Sequence, residues 1–169
     1  VLNLGLLFIS LAFMRASPSD VPIGRSVLGV AVVFMVAANT LVTLSWYGWA
    51  IGVQLSLVEV LLSAGFLYLC LSIRGLPERF TQSLAAICGI NAVMALVAWP
   101  WVLQFDGTAT EAPQWLLWGQ FVLILWSMLN WSRILRLAGN MDRLLSAALA
   151  LGYFFLSSMV FVMLSPSVA

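Results

Sequence analysis

The sequence predicts an all-α fold: a polytopic transmembrane bundle of five spanning helices with a short N-terminal interfacial helix. Two observations carry this. The chain is 63% hydrophobic and only 8% charged, far below the roughly one quarter of charged residues in soluble domains, so lipid must be its main solvent. The seven basic residues are all arginines, and they fall in three places. Arg15 and Arg25 flank the start of the first long apolar run, Arg74 and Arg79 lie between the second and third, and Arg133, Arg136 and Arg143 lie between the fourth and fifth. A hairpin stack puts all three places on one side, the positive-inside pattern of a helical membrane protein.

Residues 1–15 form an apolar stretch ended by Arg15-Ala16-Ser17-Pro18-Ser19-Asp20-Val21-Pro22. A helix over Val1 to Met14 reaches about 21 Å, short of a hydrocarbon core of about 30 Å. It is read as an interfacial helix, or one that dips into the bilayer; a true span is the other reading. The first span covers 24–46, and Tyr47-Gly48-Trp49 turn the chain tightly into the second, 51–73. Arg74-Gly75-Leu76-Pro77-Glu78-Arg79 returns it on the basic side. The third span covers 80–103. The polar stretch Gln104 to Pro113, with Asp106 and Glu111, forms a loop on the far side. The fourth span, 114–132, fades into a basic loop up to Arg143, and the fifth covers 144–164. Trp46, Tyr47, Trp49, Trp99, Trp101, Trp115 and Trp118 cluster at the arginine-free face, where amphipathic rings form a belt at the headgroups.

Polar residues interrupt the spans in one band of depth. Counted at 1.5 Å per residue from the arginine-free face, Asn39 lies about 10 Å deep, Glu59 about 12 Å, Asn91 about 15 Å and Gln120 about 7–8 Å. Helical periodicity aims them inward. Gly52, Ser56, Glu59, Ser63 and Cys70 share one face of the second span. Cys88, Asn91, Ala95 and Ala98 share one face of the third, with Ala85 and Gly89 as a small-xxx-small pair. Gln120, Ser127 and Asn130 align on the fourth, and Ser146, Ala150, Tyr153 and Ser157 on the fifth. Small faces allow close helix approach, and polar groups hydrogen-bond across them.

Glu59 supports two readings. An intramembrane acid marks a proton or ion path. The plainer reading is a structural Glu hydrogen-bonded to Asn39 or Asn91. Transport ordinarily calls for a second acid, a basic partner or broken helices, none of which the sequence displays. Enzymatic sets are missing: without histidine no Ser-His-Asp or Cys-His arrangement can form. No cofactor and no metal site is expected, since Cys70 and Cys88 fall inside apolar runs as small buried residues. With net charge +1 and scattered arginines, nucleic acid is excluded as a partner. Arg133, Arg136 and Arg143 could hold anionic lipid headgroups.

The stretch Leu71-Ser72-Ile73-Arg74-Gly75-Leu76-Pro77-Glu78-Arg79-Phe80-Thr81-Gln82-Ser83-Leu84 resembles the loop and third-span entry of Yip1-like membrane proteins, with Pro100 and Trp126-Ser127 also fitting. The resemblance implies five spanning helices and no known catalytic residue. Neither a small-GTPase partner nor any site residue is carried over from it.

The function expected from the sequence is non-enzymatic: a scaffold, accessory subunit or assembly factor that contacts membrane lipids and other integral membrane proteins, or itself. The alternative is a small transporter or channel using Glu59. The expected location is the bacterial cytoplasmic (inner) membrane, with the arginine-bearing loops cytoplasmic and the C-terminus periplasmic.

Overall fold

The computed structural model describes residues 2–104 and 113–164. The expected acidic loop with Asp106 and Glu111, and the segment Ser165-Pro166-Ser167, lie outside the described residues. The described elements are all helices: α1 (Leu2–Ala12), α2 (Arg25–Ile73), α3 (Phe80–Val102), α4 (Gln114–Gly139) and α5 (Arg143–Leu164), with single 3-10 turns at Pro18–Asp20 and Pro77–Arg79. Helices α2 to α5 are each long and apolar enough to cross a membrane.

Helix α2 is two antiparallel arms, 25–47 and 49–73. At Gly48 the backbone takes φ 77° and ψ 172°, a region essentially restricted to glycine. The reversal brings the Thr40 hydroxyl to within 3.2 Å of the Ser56 hydroxyl, a pair placed symmetrically about Gly48. Residues 40 and 56 of one straight helix would lie about 24 Å apart. Each arm measures about 35 Å, enough for a hydrocarbon core of about 30 Å. The turn expected at Tyr47-Gly48-Trp49 is therefore present, and it is centred on the residue that can adopt it.

Helix α3 is the hub. Its run from Ser83 to Ile90 is wholly buried, as a central helix contacted by α1, α2 and α4 must be. The Ala85/Gly89 pair receives α1: a Cβ built on Gly89 would lie within 2.5 Å of three carbons of the Phe8 ring. Phe8, Leu11 and Ala12 are buried, so α1 packs into the bundle. Two side chains of α4 hold its end, because Trp126 Nε1 and Asn130 Nδ2 both donate to the Ala12 carbonyl, at 2.8 and 3.1 Å. These bonds satisfy an orphan carbonyl of a helix C-terminus.

The three arginine-bearing connections meet at one end of the bundle. Arg74 donates to the carbonyls of Gly139 and Asn140, at 3.2 and 2.9 Å. Arg79 donates to the carbonyl of Ala138 at 3.0 Å. Gln82, at the start of α3, donates to the carbonyls of Ser19 and Val21, at 2.9 and 2.7 Å. Two guanidinium groups thus cap the carbonyl end of α4, where a cation also suits the helix dipole. Helix α4 runs to Gly139, so the expected basic loop is mostly helix. Arg133 and Arg136 belong to the last turns, and the connection is Asn140 to Asp142, opened by Asn140 in the left-handed conformation. Asp142 then accepts from the backbone N–H of Leu145 at 2.6 Å, an N-cap for α5.

Candidate functional site: a polar cavity around Glu59

The polar stripes predicted from periodicity converge. Gly52, Ser56, Ser63 and Cys70 are buried along the second arm of α2. Ser146, Ala150 and Tyr153 are buried along α5. Between α2, α3, α4 and α5 lies a cavity of about 320 Å³, and Asn39, Glu59, Asn91 and Gln120 all line it. Four residues from four helical segments, matched only by depth in the sequence, therefore share one chamber.

Glu59 is half-buried, and its partners come from α5. Tyr153 Oη donates to Glu59 Oε1 at 2.5 Å, and Ser157 Oγ donates to Glu59 Oε2 at 2.8 Å. The Tyr153 oxygen lies 2.8 Å from the Ser63 hydroxyl. Because Tyr153 has one proton and gives it to Glu59, Ser63 is the donor in that contact. Tyr153 is fixed from its other side by Trp131, whose ring stacks on it at 3.8 Å and 19°. Trp131, Tyr153 and Ser63 are all buried, and Trp131 and Tyr153 line the cavity.

The expected pairing of Glu59 with Asn39 or Asn91 is not formed. Two hydroxyls of α5 hold the carboxyl group instead. Nor do the amides bond to one another. Asn39, Asn91 and Gln120 line the chamber without any side-chain hydrogen bond among the described residues. Gln120 Oε1 is buried with no partner among the described residues. Asn130, which shares a helical face with Gln120, does not reach the chamber, since its amide serves the Ala12 carbonyl.

Tyr153 and Ser157 were legible as a face of α5 but not as partners of Glu59. Depth counted from the arginine end reveals them: Ser157 and Glu59 both fall about 21–23 Å from Arg143 and Arg74, and Tyr153 and Ser63 both about 15–17 Å.

Arg133 and Arg136 are half-buried, Arg143 is exposed, and none of the three guanidinium groups bonds to protein among the described residues. Cys70 and Cys88 are free and buried. Among the described residues no group of three or more metal-ligating side chains assembles.

No family model, curated protein or solved structure matches this chain.

Proposed function

We propose that this protein is a small transporter or channel, without enzymatic activity, that admits a polar solute to the Glu59 chamber. One observation carries the reading: the side chains of three intramembrane amides line the chamber and hydrogen-bond to nothing among the described residues. Amides that act as helix glue bond across helices. Amides left bare in hydrocarbon cost several kcal/mol each. Water or a polar solute must satisfy these, and Glu59 stands among them.

The topology proposed with it has five spans, the two arms of α2 crossing separately. The arginine-bearing end is cytoplasmic, the C-terminus periplasmic, and the host is a bacterial cytoplasmic membrane. Helix α1 dips partway into the bilayer. Five spans also agree with the Yip1-like resemblance. We place the chamber's opening on the arginine-free side, because the buried lining residues Trp131 and Tyr153 lie toward the arginine-bearing ends of α4 and α5.

The test is charge movement in proteoliposomes on a solid-supported membrane, with jumps of proton, sodium, potassium, ammonium or a short alkylammonium. At least one jump should evoke a current above protein-free vesicles that is lost in Glu59→Gln. No such current with any probe, or one that survives Glu59→Gln, overturns the reading.

A second reading, an accessory subunit packing against other membrane proteins, draws support from α5, where Leu144, Phe155, Val162 and Met163 are all more than two-thirds exposed. Purification in mild detergent tests it: a co-purifying membrane partner favours it, and a persistent lone monomer counts against it.

A further inference from the structure

Four of the five hydroxyl groups that line the chamber among the described residues already give their protons to the protein, Ser127 being the fifth. Thr43 donates to the Asn39 carbonyl at 2.9 Å, and Ser56 to the Gly52 carbonyl at 2.7 Å. Tyr153 and Ser157 donate to Glu59. Each of these oxygens keeps lone pairs but has no proton left to give. Glu59 is an acceptor when ionised, and Gln120 Oε1 is an unpartnered acceptor. No arginine lines the chamber. The amide N–H groups of Asn39, Asn91 and Gln120 and the Ser127 hydroxyl remain as neutral donors, but lone pairs outnumber them, and the one carboxyl group among the described lining residues, Glu59, has no cationic side chain beside it there.

Size and wall chemistry narrow the occupant. A volume of about 320 Å³ equals roughly ten water molecules at about 30 Å³ each, far more than a bare metal ion fills. Most of the wall is apolar, with Leu55, Met94, Leu123, Ile124, Phe154 and Phe161. An inorganic cation would leave these side chains uncovered. A ligand with one cationic, donor-rich end and a short apolar body fits both parts.

We propose that the chamber binds a small primary ammonium ion, its –NH3+ group at Glu59 and its alkyl body against the apolar wall. This rests on the solute-binding reading above and names the class of solute. The three N–H donors meet the Glu59 carboxylate and the spare lone pairs around it, while the phenylalanine rings add an aromatic surface that tolerates a nearby cation.

The experiment is calorimetric titration of the full chain in nanodiscs with n-butylammonium, n-butanol or sodium chloride, each against empty discs. Saturable binding of n-butylammonium is expected, at least tenfold tighter than n-butanol, with sodium failing to compete at equal concentration. Glu59→Gln should weaken it tenfold or more, and Glu59→Asp should retain part of it. Equal binding of n-butanol, displacement by sodium, or no saturable n-butylammonium binding to the wild-type chain each overturns the proposal. The wild-type comparison of ammonium with alcohol needs no variant to fold. A Glu59-dependent current carried by protons or sodium, with no n-butylammonium binding, would defeat this inference and leave the transport reading standing.

Discussion

Tyr153 donates its hydroxyl proton to Glu59 across the interface of α5 with the second arm of α2, from a ring clamped by Trp131. Ser63 completes the chain by donating to Tyr153. Tyr153→Phe removes a donor from Glu59 and an acceptor from Ser63, while the stack on Trp131 survives. Unfolding in detergent should show a loss of about 1–3 kcal/mol, as for a buried polar group deprived of its partner. A double-mutant cycle with Glu59→Gln should show coupling between the two sites. Additive effects would mean that the bond contributes nothing.

The Gly89 position should be intolerant for a reason that Phe8 controls. Gly89→Ala puts a methyl group into the Phe8 ring, and overpacking of this kind costs about 1–3 kcal/mol. In a Phe8→Ala background the same change should cost much less. Equal costs in both backgrounds would show that α1 does not dock on α3.

Gly48→Ala should destabilise the hairpin by about 1–3 kcal/mol, since a side chain is forced into a conformation that only glycine adopts readily. The Cβ would meet nothing within 4 Å, so the penalty comes from backbone conformation alone. Thermal unfolding of Gly48→Ala measures it, and an unchanged midpoint would contradict the geometry at the turn.

The arginines should divide by partner. Arg79→Ala removes a guanidinium bonded to the end of α4 and should lower stability by about 1 kcal/mol. Arg143→Ala should stay within about 0.5 kcal/mol. Retention of an anionic phospholipid, read by native mass spectrometry, should reverse that order, falling with the combined loss of Arg133, Arg136 and Arg143 and little with Arg79. A uniform response would mean that all these arginines serve topology alone.

Much of this architecture was legible because a membrane leaves few options. Periodicity put Ser56, Glu59 and Ser63 on one face, and depth put Asn39, Asn91 and Gln120 at the same level, so the chamber followed. Periodicity on one helix cannot say which neighbour a face meets. For that reason Asn130, aligned with Gln120, could not be assigned to α1, and Glu59 was paired with amides when two hydroxyls stood nearer. The end of α4 was misplaced because Arg133 and Arg136 read as loop residues, although cations are welcome in the last turns of a helix.

The Glu59 chamber should be wet and reached from the arginine-free side. Cysteine accessibility in a background lacking Cys70 and Cys88 tests it most directly. Gln120→Cys should react with a membrane-impermeant thiol reagent added on the arginine-free side. Leu125→Cys, on the same helix and exposed outside the chamber, should stay unreactive in lipid. Gln120→Cys no more reactive than Leu125→Cys, or reactive only from the arginine side, would contradict the claim.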